Sequence, residues 1–238
     1  MEELFSQLAA RYPLETMAMT IGGRDWHIRA VQDQDYLLDV ADTLENVPYG
    51  FLLWESAIGL AQLLAEQPAL VAGKRVLELG AGVGLAGLMA AALGAQVWQT
   101  DHQPDALALA QVNADAHGYA QANGYSGIEQ FLADWRTWQH TECYDVILGA
   151  DILYERAMYA YLEPIFQQNL APGGCLLLAD PCRPQALEFA AHLEKHGWHF
   201  ELSTCPVTLP ATAEQPGKSK KKANQAVEVA LLIGRREG

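Results

Sequence analysis

Five short apolar runs recur through the middle of the chain: Arg75 to Leu79, Gln96 to Thr100, Ile128 to Ala133, Tyr144 to Ala150 and Cys175 to Ala179. Each has the length and bounding polar or glycine residues of a strand. Leu85 to Leu93 and Pro104 to His117, lying between them, carry helical spacing. Strands alternating with helices predict an α/β fold with a parallel sheet covered on both faces, because parallel neighbours need crossover connections. After residue 197 the pattern changes. Trp198 to Leu209 and Ala226 to Ile233 are strand-like stretches joined by a polar Pro/Gly/Lys-rich segment, which predicts a terminal antiparallel pair. Ahead of the core, Thr16 to Val31 holds two short strand-like stretches around Gly22-Gly23, the pattern of a hairpin, and Leu52 to Glu66 predicts a leading helix. No repeat of 20 to 50 residues is present.

Composition narrows this picture. With 238 residues, half of them apolar, one substantial core is expected. The organisation read from the sequence is a single domain over 1–238, with a hairpin extension at 1–47, a core at 48–238 and a flexible polar loop at 210–225. No apolar run approaches the ~18 residues of a membrane span, and Met1 to Tyr12 has no basic leader ahead of an apolar run. Cys143, Cys175, Cys182 and Cys205 form no C-x-x-C pair and have no histidine at ligand spacing, so neither a zinc site nor a disulfide framework is expected. These features fit a cytoplasmic protein without a membrane partner.

Charge is uneven. Residues 1–210 carry 9 basic against 26 acidic side chains, a balance of −17, whereas 211–238 carry +3. An acidic body repels a phosphate backbone and favours a basic partner, which disfavours nonspecific nucleic-acid binding. Lys218, Lys220, Lys221 and Lys222, four of the six lysines, lie in the polar segment. They read as a solvated loop, or as a tethered basic segment able to reach the acidic body.

The most informative stretch is Glu78-Leu79-Gly80-Ala81-Gly82-Val83-Gly84. An apolar strand ends near an acid, and alternate glycines turn the chain into a helix, leaving bare backbone for a ligand. Gly82-x-Gly84-x-x-Gly87 also satisfies the dinucleotide fingerprint, in which the loop grips a pyrophosphate. A carboxylate at Glu78 instead suits a ligand with an amino-acid group and a ribose. Asp101, ending the second strand, can accept both ribose hydroxyls under either reading. Asp134-Trp135, after the third strand, can offer a carboxylate to an adenine amino group and a backbone N–H to its ring.

With these residues in place, the chain resembles the seven-β-strand protein methyltransferases, in the branch that includes the lysine methyltransferases of the electron transfer flavoprotein β-subunit, calmodulin and chaperones. The resemblance runs from the hairpin to the last strand. It rests on Tyr49-Gly50 with Trp54, Glu78 to Gly84, Asp134-Trp135, and Asp151-Ile152-Leu153-Tyr154. Glu55 stands where that pattern has proline. The resemblance implies a Rossmann-like seven-strand sheet and S-adenosyl-L-methionine as methyl donor, with S-adenosyl-L-homocysteine as product. It implies Trp54, Glu78, Gly80, Gly82, Gly84, Asp101, Asp134, Trp135 and Ala150 at the cofactor, with Asp151 and Tyr154 where donor meets acceptor. It further implies a protein substrate with a basic or lysine-bearing surface.

Methyl transfer from a sulfonium is an in-line displacement, so holding a neutral nucleophile ~3 Å from the methyl carbon in a dry pocket supplies most of the catalysis. Freeing the lone pair of a lysine at neutral pH costs roughly 4.6 kcal/mol from its reference pKa. A nearby carboxylate alone would raise that cost, so Asp151 reads as a positioning acceptor and Tyr154 as a pocket wall. His192, His196 and His199 read as solvent-facing residues on a helix, and Trp26, Trp98, Trp138 and Trp198 as packing. Neither G-x-S-x-G nor a P-loop lysine is present. The leading expectation is a protein side-chain N-methyltransferase with lysine favoured. Alternatives are a small-molecule or nucleic-acid methyltransferase, a noncatalytic cofactor-binding module, and, weakest, a nicotinamide dehydrogenase. Nothing in the sequence sets the oligomeric state.

Overall fold

In the computed structural model, described for residues 2–31, 49–119, 127–210 and 226–236, a seven-stranded sheet has the order β5-β4-β3-β6-β7-β9-β8. The strands are β3 (Arg75–Leu79), β4 (Gln96–Asp101), β5 (Ile128–Leu132), β6 (Tyr144–Ala150), β7 (Leu170–Asp180), β8 (Trp198–Val207) and β9 (Val227–Arg236). The first five pair in parallel, and β9 runs against both β7 and β8. This is the Rossmann-like sheet that the alternating pattern and the resemblance predict, closed by the expected antiparallel pair. The sequence order reverses beside β3, so ligands are expected at the carboxyl ends of β3, β4 and β6.

The connecting helices are α2 (Glu55–Glu66), α3 (Leu85–Ala92), α4 (Pro104–Ala116), α5 (Tyr159–Asn169) and α6 (Pro184–Glu194), preceded by α1 (Glu2–Ala9). Two apolar clusters fill the two faces of the sheet. One joins α2, α3 and α4 to Val76, Val146 and Leu177; the other joins α5 and α6 to Leu77, Ile147 and Leu176. Successive residues of β3 and β6 therefore point to opposite cores, which explains why these strands read as continuous apolar runs.

The hairpin is β1 (Leu14–Ile21) with β2 (Arg24–Val31), turned through Gly22 and Gly23 at positive φ. It is fastened to the glycine loop by one side chain. Asn113 of α4 accepts from Arg29 N–H at 2.9 Å, and its amide donates to Arg29 C=O at 3.0 Å and Val83 C=O at 2.9 Å. Being buried, it satisfies three backbone groups that would otherwise lack partners.

Two boundaries and one element differ most from expectation. The leading helix begins at Glu55, because Tyr49–Phe51 forms a 3-10 turn and Leu52 bridges to Val31. Strand β7 begins five residues early at Leu170, with an irregular register opposite Tyr144 and Val146. The helix α1 has no counterpart in the sequence reading. The lysines 218–222 and residues 211–225 of the polar loop lie outside the described residues, as do Pro48 and the rest of 32–48.

Candidate active site

The five parallel strands deliver their carboxyl ends to one edge, and the four sequence motifs lie along it. Gly80, Gly82 and Gly84 take φ of 64°, 53° and 84°, a backbone region that disfavours side chains. A side chain at any of the three would also meet neighbouring protein atoms. A Cβ on Gly82 would lie 3.1 Å from the carbonyl oxygen of Gly50. One on Gly80 would lie 3.0 Å from Ile152 and 3.3 Å from the Trp135 ring, and one on Gly84 would lie 2.9 Å from Gln99. The loop is thus clamped by the Tyr49-Gly50 segment, by the Asp151-to-Tyr154 segment and by β4.

Glu78 has protein partners that its position in the sequence did not disclose. Its carboxylate is buried at the strand end, accepting from Gln99 Nε2 at 2.8 Å and from the N–H of Gly87. Gln99 donates as well to Gly84 C=O at 3.0 Å. Glu78 holds the loop onto α3 from below, and Gly87 is required because any side chain there would strike that carboxylate. Burial pushes the Glu78 carboxyl up to about 7.

Asp101 fits its expected place. It ends β4 and accepts from Gly82 N–H at 3.1 Å and Gln103 N–H at 3.0 Å, one bond to each carboxylate oxygen. The carboxylate raises the pKa of neighbouring His102, through their hydrogen bond first. Asp134 is paired with a neighbour in sequence. Its two oxygens take four hydrogen bonds from the backbone N–H and guanidinium of Arg136, at 2.6 to 3.0 Å. Arg136, through its side-chain hydrogen bonds first, holds the acid below its ordinary pKa. Asp134 is a turn cap. Trp135 lies against Gly80 with its indole ring.

Trp54 precedes the first turn of α2, and its indole N–H donates to Tyr49 C=O at 3.1 Å, closing the 49–54 segment over the loop. With Glu55 in place of proline, the helix still starts there, and an acid in the first turn suits the helix dipole.

Ala150 ends β6, and Asp151 follows at φ 58°, one of two non-glycine residues with positive φ among those described. The strain is held by a network the sequence reading missed. Asp151 N–H donates to Ala179 C=O at 2.9 Å. Its Oδ2 accepts from Ser56 Oγ at 3.1 Å and its Oδ1 from Arg183 Nη1 at 2.5 Å. Arg183 Nη1 also donates to Asp180 Oδ2 at 2.9 Å, and Asp180 Oδ1 accepts Arg183 N–H at 2.7 Å. Desolvation pushes the Asp180 carboxyl up, against the pull of Arg183. A signal for this existed: β4 and β7 end in aspartate and Asp151 directly follows β6, so acid accumulates at one edge, and Arg183 lies three residues after Asp180.

Tyr154 is half-exposed. Burial raises its phenol first, and the charges of Glu155, Asp101 and Asp151 raise it further. His192 and His196 are exposed as expected, while His199 belongs to β8 rather than the helix. Trp26 and Trp198 are buried packing residues.

The donor set suits a ribose and a sulfonium better than a pyrophosphate. The lone pairs of Asp101 match ribose hydroxyls, and the acids and aromatic rings around it match a positive charge. The guanidinium groups along this edge, Arg136 and Arg183, are each already paired with a carboxylate.

Comparison with known proteins agrees with this chemistry. EEF1A lysine methyltransferase 3 of Mus musculus is 31% identical over 155 residues, covering 63% of this chain and 65% of that protein. Protein N-terminal and lysine N-methyltransferase EFM7 of Eremothecium gossypii is 32% identical over 199 residues, covering 74% and 73%. Protein N-lysine methyltransferase METTL21A of Danio rerio is 34% identical over 138 residues, covering 56% and 60%. The matches thus span less than two thirds of the mouse and zebrafish proteins. Among solved structures, the T. thermophilus 16S rRNA N2 G1207 methyltransferase in complex with AdoMet and guanosine superposes with a TM-score of 0.62 at 16% identity, covering 94% of this chain and 51% of that one. The ribosomal protein L11 methylase of Lactobacillus delbrueckii superposes at 0.52 and 20% identity, covering 75% and 77%. Both share the fold. Residues 32–196 match the family described as lysine methyltransferase, and the chain belongs to that family.

Proposed function

We propose that this chain is an S-adenosylmethionine-dependent methyltransferase whose acceptor is a lysine side chain of a protein. The observation that carries the proposal is the meeting of Gly50 with Gly82, and of Gly80 with Ile152 of the Asp151-to-Tyr154 segment, at one edge of the sheet where Asp101 caps the same loop. Relatives named for lysine methylation support the acceptor. The acidic body suits a basic protein surface. A cytoplasmic location agrees with relatives named for EEF1A, and no described helix is long and apolar enough to cross a membrane.

When bound, S-adenosylmethionine supplies an electrophilic methyl group on a sulfonium. Asp101 would take the ribose hydroxyls, the backbone of Gly80 to Gly84 would carry the amino-acid portion, and Trp54, Trp135 and Ala150 would wall the site. Asp151 would accept a hydrogen bond from the acceptor amine and aim its lone pair. Arg183 makes this workable. An unpaired carboxylate would hold the amine as ammonium, whereas Asp151 already balanced by a guanidinium orients it with a weaker field. The Tyr154 ring would cover the site and exclude water.

Calorimetry with S-adenosylhomocysteine and with NAD tests the cofactor directly. Binding of the first and not the second is expected; binding of NAD alone would overturn the proposal.

A further inference from the structure

We infer that Glu163, His192 and His196 form a surface site for a divalent first-row transition-metal ion, with zinc the best match, separate from the site above. Glu163 lies on α5, His192 in the last turn of α6, and His196 in the turn that follows. Glu163 Oε2 lies 3.0 Å from His192 Nε2, and its Oε1 lies 2.9 Å from His196 Nδ1. The imidazole rings meet edge to face at 4.3 Å between centroids, and all three ligand atoms fall within 4.8 Å of one another.

The chemistry fits zinc. Two imidazoles and one carboxylate are a known donor set for that ion, with a fourth position left to water. Bonds of ~2.1 Å at tetrahedral angles separate ligand atoms by about 3.4 Å. The two carboxylate contacts would open by a few tenths of an ångström and the imidazoles would close, within the freedom of half-exposed side chains. Two neighbours hold the ligands in place: Gln167 Nε2 donates to Glu163 Oε1 at 3.1 Å, and the Phe189 ring stacks against His192. Helix α6 leaves the carboxyl edge at Pro184, so His192 sits about 12 Å further along the helix. Metal here would staple α5 to α6 rather than touch the reacting groups.

The test uses the full chain after chelator treatment, titrated with zinc by calorimetry and with cobalt(II) by absorption. One ion should bind per chain. Cobalt should show ligand-field bands of nitrogen and oxygen ligation without sulfur charge transfer, and zinc should raise the melting midpoint. His192→Ala combined with His196→Ala, and separately Glu163→Gln, should each weaken zinc at least about tenfold and abolish the rise in melting midpoint. Glu163→Gln preserves shape, so it decides the matter if the double variant folds poorly. Equal zinc affinity in the parent and either variant would overturn the inference and leave a hydrogen-bonded imidazole–carboxylate group.

Discussion

Arg183 reaches Asp151 at 2.5 Å and Asp180 at 2.9 Å through a single nitrogen, so one guanidinium serves two buried acids from neighbouring strands. Removing it strands both carboxylates. Arg183→Met should cost about 3 kcal/mol or more of stability, the penalty for leaving buried charge uncompensated. Arg183→Lys should recover part of this, since an ammonium restores the charge without the planar fork. In surviving protein, the pH profile of turnover should move to higher pH in Arg183→Met, because the unbalanced Asp151 would hold the acceptor amine protonated. A stability loss with an unmoved pH profile would reduce Arg183 to a structural role.

Asp151 and Asp101 should separate in assay. Asp151→Asn keeps a side chain that tolerates positive φ, and should lose most transfer while binding S-adenosylhomocysteine within a few-fold of the parent. Asp101→Ala should weaken that binding by about 1 to 3 kcal/mol through lost charge-assisted hydrogen bonds. Equal losses of binding and turnover at Asp151 would make it a cofactor ligand instead.

Gly50 should behave as part of the cofactor loop despite lying 32 residues before Gly82. A Cβ there would lie 2.9 Å from Ala106 Cβ and 3.6 Å from Gly82 Cα. Gly50→Val should therefore lift the 49–54 segment from the loop and reduce S-adenosylhomocysteine affinity more than it lowers the melting midpoint. Unchanged affinity would show that this contact does not shape the site.

Glu78 supplies a pH dependence of known sign. Its carboxyl rises from 4.5 to about 7 on folding, so between those values the folded chain holds a proton that the unfolded chain has released. Stability should fall as pH rises through this window and level off above it, by at most about 3 kcal/mol. Glu78→Gln keeps an acceptor for Gln99 and should flatten this portion. Urea denaturation across the window would show it; an equal slope in the variant would contradict the assignment.

The fold was legible in the sequence because its strands are short apolar runs separated by one-faced helices, and period and length suffice to find them. The site was legible in part. Gly80, Gly82, Gly84, Asp101 and Asp151 stand where their spacing placed them, since a strand end and a tight turn fix a residue's position. Side-chain direction was not legible. Glu78 turns inward to Gln99, and Asp134 closes on Arg136, pairings that strand ends and turn spacing do not fix. Arg183 was missed because its partners are 3 and 32 positions away and meet it only through the sheet order.

The central claim rests on where the methyl group goes. The full chain should be incubated with S-adenosylmethionine labelled in its methyl group together with a cell extract, the labelled material separated by class, and the labelled protein hydrolysed to amino acids. Label recovered in protein as N-methylated lysine, and lost in Asp151→Asn, is the result expected. Label in RNA or small molecules, or in a residue other than lysine, would contradict the proposed acceptor.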